Sequence, residues 1–138
     1  MARILVVEDD AKNVNILRRL LTRDGHELEF SDNRQQAVEL ALAKVPDLIL
    51  MDIQILDQPG GVPTRNAGLA ATKEIRQSAI GAWIPIIAMS AHNMPDERQL
   101  FVASGCNDIV SKPFLFSEML EVIARNLPPA KALPSTGD

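Results

Sequence analysis

The sequence predicts an α/β fold, a doubly wound parallel sheet of five strands with helices on both faces. Short apolar runs of about five residues alternate with segments of helical length, and this pair of elements occurs five times in 138 residues. The third predicted strand, Asp47–Met51, is apolar from Leu48 onward, as a strand covered on both faces should be. Five such units in one short chain indicate a single domain, which we place at residues 1–127.

The first half of the chain predicts three strands and two helices. The strands are Arg3–Val7, His26–Ser31 and Asp47–Met51. The first helix occupies about residues 12–23, where leucines recur at helical spacing, and Asp24-Gly25 closes it. Asp32 and Gln35 resemble a capping box and open a second helix that runs to about residue 44, where Pro46 breaks the pattern.

The second half predicts three helices and two strands. The strands are Pro85–Met89 and Asp108–Ser111, and Trp83 is expected to cover the base of the first of them. The helices are expected at about 68–77, from Pro95 to about Gly105, and from Ser117 to about Leu127. Residues 53–66 are predicted to be irregular because they are rich in glycine, proline and polar residues. Residues 128–138 are predicted to be a flexible C-terminal tail.

The amino-acid composition of the chain argues against several functional classes. Hydrophobic residues make up 46% of the chain and the net charge is -4, which is typical of a globular protein and not of a basic nucleic-acid-binding surface. Cys106 is the only cysteine, so no internal disulfide is possible. No apolar stretch approaches the length needed to span a membrane. We therefore expect a cytoplasmic protein that binds neither nucleic acid nor membrane.

Charged residues end three of the predicted strands. Glu8 and Asp9 follow the first strand, Asp52 follows the third, and Lys112 follows the fifth. Taken singly, each has an ordinary interpretation as a strand end that reaches solvent. If the strands are neighbours in one parallel sheet, however, the four side chains share the crevice beyond the carboxyl ends. Crowded carboxylates there call for a hard cation such as Mg²⁺, and a lysine beside them suits a phosphoryl group.

The order of these segments resembles the receiver domain of bacterial two-component response regulators. The matching segments, in chain order, are Ile4–Asp10, Pro46–Gln54, Met89–Ala91, Gly105-Cys106 and Ser111–Phe114. The resemblance implies a flavodoxin-like strand order, 2-1-3-4-5. It also implies a phosphoacceptor signalling domain of the phosphorelay kind and not a conventional enzyme, although self-phosphorylation and autodephosphorylation are possible in the family. In its short length the chain resembles a stand-alone receiver, or a receiver cut from a hybrid kinase.

The resemblance implies a role for each residue of the crevice. Asp52 is the expected phosphoacceptor. The magnesium ligands are expected to be Asp9 directly, Glu8 through water, Asp52 and the backbone carbonyl of Gln54. The expected phosphoryl donor is a sensor histidine kinase or a histidine phosphotransfer protein. A downstream protein partner is then expected to read the modified surface.

Further residues are implied to assist or to modulate. Ser90 is expected to hydrogen-bond the phosphoryl group and Lys112 to pair with it, with a cis bond before Pro113. Gln54 and His92 stand at positions that tune dephosphorylation in relatives, although an ordinary loop histidine is the favoured interpretation of His92.

Two departures from the family pattern affect the expected mechanism. Ile109 stands where relatives often carry the Tyr or Phe that acts as a rotamer switch, so an aromatic flip at that position is in doubt. Residues 57–66 look like an insertion after the phosphoacceptor. We favour a neutral surface loop, and the alternative is a lid or partner contact in which Arg65 reaches a phosphoryl group.

Two other functional classes are weighed against the phosphoacceptor. A receiver-like adaptor that never carries phosphate is compatible with Ile109 and the insertion, but it does not need the complete acidic set. A phosphohydrolase with an aspartyl nucleophile needs a second acid two residues later, where this chain has Gln54. A nucleotide-binding loop is excluded because no Gly-x-x-x-x-Gly-Lys-Ser/Thr segment occurs.

Overall fold

The computed structural model of the chain describes residues 2–91 and 95–128. The strands of the main sheet are β1 (Arg3–Val7), β2 (Glu27–Ser31), β3 (Leu48–Asp52), β6 (Ile86–Ser90) and β7 (Asp108–Ser111). Two short strands, β4 (Ile55–Leu56) and β5 (Pro63–Thr64), lie between β3 and the third helix. The helices are α1 (Ala11–Arg23), α2 (Arg34–Lys44), α3 (Ala67–Gln77), α4 (Pro95–Ser104) and α5 (Phe116–Asn126), with a short 3₁₀ turn at Gly81–Trp83. His92 and nearly all of the predicted tail lie outside the described residues.

The predicted fold class is confirmed. The five strands of the main sheet are parallel in the order β2-β1-β3-β6-β7, which is the order 2-1-3-4-5 when only these strands are counted. The register is flush at the carboxyl edge, where Val7 lies opposite Met51 and Asp52 lies opposite Met89. The residues that follow β1, β3 and β7 therefore emerge side by side.

The core lies on both faces of the sheet. In β3, Ile49 and Met51 pack in one cluster with residues of α2, α3 and α4. Leu48 and Leu50 point to the opposite face and pack in a second cluster with residues of α1 and α5. Because successive side chains of a strand alternate between faces, a strand covered on both sides must be apolar throughout. This arrangement explains the unbroken apolar run of β3.

Two local details differ from the sequence predictions. Asn33 caps α2 by accepting a hydrogen bond from the Gln36 amide (2.8 Å), whereas Asp32 was expected to be the cap. Trp83 was expected to cover the base of β6, but it is 89% exposed. The buried position there belongs to Ile84, since the 3₁₀ turn carries Trp83 out towards solvent.

The stretch 53–66 is more ordered than predicted. β4 and β5 form an antiparallel two-stranded ribbon in which Ile55 pairs with Thr64 and Leu56 pairs with Pro63. Ile55 is fully buried and belongs to the core cluster beneath α2 and α3. The ribbon is therefore attached to the fold through its first strand. Two-residue strands are too short to produce the alternation by which strands are recognised in a sequence.

Gly68 fixes the position of α3 against the end of β3. Its amide donates a 2.9 Å hydrogen bond to the Ile53 carbonyl, and a Cβ at this position would lie 2.0 Å from the backbone oxygen of Asp52. Only a residue without a side chain permits this approach. The helix start therefore touches the backbone of the expected phosphoacceptor.

We expect Gly68→Ala to destabilise the protein by roughly 3 kcal/mol, because the new methyl group collides with backbone that cannot move aside cheaply. Gly60→Ala is the matched control, since a Cβ there meets nothing within 4 Å and only the left-handed backbone (φ +73°) is strained. Its expected cost is about 1 kcal/mol. Urea unfolding followed by far-UV circular dichroism measures both. Equal costs for the two variants would contradict the steric argument.

Candidate functional site

A polar cleft of about 780 Å³ opens at the carboxyl edge of the sheet. Glu8 and Asp9 enter it just after β1, Asp52 at the end of β3, Ser90 at the end of β6 and Lys112 just after β7. Strand order and flush register thus bring together the side chains that the sequence predicted to meet. The cleft is also lined by Pro63, Arg65 and Asn66 from the ribbon side, and by Glu97 from α4.

Asp52 is held at the centre of the cleft by two hydrogen bonds. Lys112 Nζ donates to Asp52 Oδ2 at 2.8 Å, and the backbone amide of Gln54 donates to Oδ1 at 3.2 Å. Asp52 is only 5% exposed, so its carboxylate is accessible from the cleft alone. An ammonium and an amide therefore orient a buried carboxylate that lines the cleft.

Glu8 forms the second half of the charge cluster. Lys112 Nζ lies 2.7 Å from Glu8 Oε1, so the two charges form an ion pair. Glu8 Oε2 accepts from the Asp10 amide at 3.2 Å. Because the same ammonium also pairs with Asp52, it compensates only part of the negative charge of the two buried acids, and a bound cation would offset the rest.

The charges in the cleft shift one another's pKa values. Burial raises the pKa of Glu8 from 4.5 to about 7, and the hydrogen bond and negative charge of Asp52 add to this shift. Burial and the charge of Glu8 also raise the pKa of Asp9. Burial opposes the charge of Lys112, but hydrogen bonds and charge from Asp52 and Glu8 outweigh it and raise the pKa of that ammonium. The single positive charge of Lys112 therefore compensates only part of the negative charge of Glu8 and Asp52.

The acidic side chains fit a hard divalent cation. Glu8, Asp9 and Asp52 each offer a carboxylate oxygen, and these atoms lie within 4.8 Å of one another. Carboxylate oxygens are the ligands that Mg²⁺ prefers, and Mg²⁺ usually takes few of them together with water. The sharing of one ammonium points to the same conclusion, because Lys112 Nζ lies 2.7 Å from Glu8 Oε1 and 2.8 Å from Asp52 Oδ2 and leaves the three acids with an excess of negative charge.

The other predicted residues take different positions. Ser90 is buried at the end of β6, opposite Ser111, and its carbonyl accepts from the Lys112 amide at 2.8 Å. The Lys112-Pro113 peptide bond is cis, as expected. Ile109 is half-buried against the core and lies in β7, pointing away from the residues that line the cleft. The Gln54 side chain is exposed at the cleft.

Sequence reasoning missed two features of the cleft. Glu97 lines it, and the only signal was an acidic residue in the first turn of α4. Asp10, next to the acidic pair, caps α1 by accepting from the Lys12 amide at 2.8 Å. That capping role was available from the sequence, since an aspartate directly before a helical segment is a common N-cap.

Comparison with protein families decides the identity of the fold. The family model for the response regulator receiver domain matches residues 4–124. The chain belongs to the response regulator receiver family. The matched region of this receiver contains every residue of the acidic cleft and, apart from Arg3 at the start of β1, all five strands of its main sheet.

Individual relatives agree with this assignment. The polar-differentiation response regulator DivK of Brucella anthropi is 32% identical over 120 residues, which cover 87% of this receiver and 91% of DivK. A receiver domain of a sensor histidine kinase from Pseudomonas aeruginosa is 32% identical with a TM-score of 0.77, covering 90% of this chain and 95% of that one. That structure holds a magnesium ion in its active-site cleft. The chemotaxis protein CheY4 of Vibrio cholerae has a TM-score of 0.82 at 23% identity, covering 92% and 99% of the two chains, which supports the fold alone.

Among the residues that the structure describes, none of the helices is both long enough and apolar enough to cross a membrane.

We expect the stability of the metal-free receiver to fall as the pH rises from 4.5 to about 7. In this window folded Glu8 retains a proton that the unfolded chain has already released, so deprotonation favours unfolding. Glu8→Gln should make the dependence shallower. The measurement is urea unfolding in a chelator at several pH values, followed by circular dichroism. Identical slopes for the variant and the original chain would show that Glu8 is not the group responsible.

Proposed function

We propose that this receiver accepts a phosphoryl group on Asp52 from the phosphohistidine of a sensor histidine kinase or a histidine phosphotransfer protein. The observation that carries the proposal is the buried Asp52 carboxylate, held by Lys112 at 2.8 Å and within metal-bridging distance of Glu8 and Asp9. The family and the cleft support a phosphoacceptor over the adaptor alternative, because an adaptor needs no complete acidic set.

The reaction is a substitution at phosphorus. A carboxylate oxygen of Asp52 attacks, an oxygen–phosphorus bond forms, the nitrogen–phosphorus bond of the donor breaks, and the imidazole leaves as the neutral base after taking up a proton. Lys112 keeps the Asp52 carboxylate oriented and then pairs with the phosphoryl oxygens. The Ser90 hydroxyl donates a hydrogen bond to the transferred group. Release of the phosphoryl group to water reverses the modification.

Magnesium is the proposed cofactor. Asp9, Asp52 and the backbone carbonyl of Gln54 would hold it directly, and Glu8 would act through water. When bound, the ion neutralises the charge that develops on the phosphoryl oxygens. The carboxylates contribute a site that is already assembled in the folded chain, since their oxygens lie within 4.8 Å of one another.

Signal output is proposed to be a change in protein–protein contacts. An acyl phosphate on Asp52 carries about two negative charges where the carboxylate carried one, so phosphorylation makes the carboxyl edge of the sheet more negative. Gln54 and His92 are proposed to modulate its lifetime, and Ile109 and Pro113 the transmission of the change. Without an aromatic residue at 109, that transmission would have to use backbone and loop shifts led by Ser90, or other packing. The receiver unit is proposed to be residues 1–127, with 128–138 as a tail in a cytoplasmic protein.

Incubation with acetyl phosphate and magnesium is expected to add one phosphoryl group to the chain, measured by intact mass. Asp52→Asn should abolish the adduct because an amide oxygen is a poor nucleophile. Asp47→Asn is the matched control, since Asp47 precedes the same strand at its opposite end, where its carboxylate accepts from the Arg3 amide at 2.8 Å. The control should be modified like the original chain. An adduct that persists in Asp52→Asn would overturn the assignment.

Asp9→Asn is expected to weaken Mg²⁺ binding by about tenfold or more, which corresponds to about 1.4 kcal/mol. The reason is the loss of one of three converging carboxylates. Asp10→Asn is the control, because asparagine caps a helix as well as aspartate does. Calorimetric titration with MgCl₂ at pH 8 measures both variants. Equal affinities for Asp9→Asn and Asp10→Asn would exclude Asp9 as a ligand.

A further inference from the structure

We propose that Arg65, presented by the β4–β5 ribbon, binds the phosphoryl group on Asp52 as a second cationic contact beside Lys112. The inference rests on the proposed function and adds a binding residue to the same site. Its basis is the position of Arg65 on the wall of the acidic cleft, together with the attachment of the ribbon that carries it.

The first strand of the ribbon is fixed to the loop between β2 and α2. The Leu56 amide donates to the Asp32 carbonyl at 3.1 Å, and the Gln35 amide donates to the Asp57 carbonyl at 3.2 Å. Leu56 also forms a parallel bridge with Asn33. These backbone contacts join residues more than 20 positions apart and connect the first strand of the ribbon to the start of α2.

Arg34 reinforces this attachment with a clamp to two other elements. Its guanidinium binds both carboxylate oxygens of Asp57, at 2.6 and 3.2 Å, and Glu74 Oε2 of α3 at 2.6 Å. A planar guanidinium is suited to such paired contacts. Arg34 thus connects the ribbon turn, the start of α2 and the middle of α3 through a single side chain.

The second strand delivers Arg65 to the cleft from a defined direction. Thr64 pairs with the buried Ile55, and Asn66 adopts a left-handed backbone (φ 63°) that turns the chain into α3. Two residues later, Gly68 is packed against the Asp52 carbonyl. Arg65 therefore lies between two points that are fixed relative to the phosphoacceptor.

The charges that line the cleft favour a role for Arg65 in binding an added phosphoryl group. Five carboxylates line it, from Glu8, Asp9, Asp10, Asp52 and Glu97. Lys112 already pairs with Glu8 and Asp52, while Arg65 is exposed and makes no ion pair within the part of the chain that the structure describes. Phosphorylation replaces the single charge of the Asp52 carboxylate with about two charges on the phosphoryl group, and this increase favours a further cation at the rim. A guanidinium can offer two donors to phosphoryl oxygens at once.

If Arg65 binds the phosphoryl group, its loss should weaken the binding of an anion but not the binding of a cation. Arg65→Ala should weaken beryllofluoride binding at saturating Mg²⁺ by about tenfold, since a charged hydrogen-bonding partner is lost. The same variant should leave Mg²⁺ binding without beryllofluoride unchanged or slightly tighter, because a repelling charge is removed. A general loss of structure would weaken both. Isothermal titration calorimetry measures both affinities.

Arg19→Ala is the matched control. Arg19 is an exposed arginine of α1 that does not line the cleft, and its replacement changes the net charge of the chain by the same amount. It should alter neither affinity beyond the effect of net charge. Beryllofluoride binding that is equally tight in Arg65→Ala and in Arg19→Ala would overturn the proposal.

Arg34→Ala tests the role of the clamp. It should weaken beryllofluoride binding only while Arg65 is present, so the double variant should bind as Arg65→Ala does. If the losses of beryllofluoride affinity in Arg34→Ala and Arg65→Ala add up in the double variant, the ribbon does not position Arg65. An original chain that fails to bind beryllofluoride at all would instead overturn the phosphoacceptor function itself, and the inference with it.

Discussion

The structure depends on one ammonium shared by two buried carboxylates. Lys112 is 2.7 Å from Glu8 and 2.8 Å from Asp52, and the three residues stand at the carboxyl ends of three different strands. Buried charges are tolerated when they are paired, and breaking such a pair leaves the remaining charge uncompensated. Here one positive charge faces two negative ones, so the cluster holds the strand ends together and remains short of positive charge. A site of this kind is prepared for a cation.

The parallel sheet is what makes this cluster possible. The three side chains stand at the carboxyl ends of β1, β3 and β7, with β6 between the last two, and the apolar bodies of these strands are covered on both faces by helices. Covered strands are rigid, so the polar residues just beyond them have little freedom to move apart. The core therefore maintains the proximity of like charges that solvent would otherwise separate. Stability of the sheet and reactivity of the cleft follow from the same packing.

The sequence predicted the sheet and most of the cleft because both depend on local patterns. Apolar runs identified the strands, and Asp52 and Lys112 were recognisable as charges placed at strand ends. The ribbon, the Arg34 clamp and the exposure of Trp83 were not predictable in this way. Each of them depends on contacts between residues far apart in sequence, or on a single turn of 3₁₀ helix. Patterns within a short window carry no information about such contacts.

The position of Trp83 has an optical consequence. It is the only tryptophan, the chain has no tyrosine, and the indole is 89% exposed at the amino edge of the sheet. The length of a five-residue strand, about 13 Å, separates that edge from the carboxylates. Ultraviolet emission from this chain therefore comes from a fluorophore already in water before unfolding and remote from any bound ion. Intrinsic fluorescence should report poorly on both events, whereas an indole introduced at the rim would report on the ion directly.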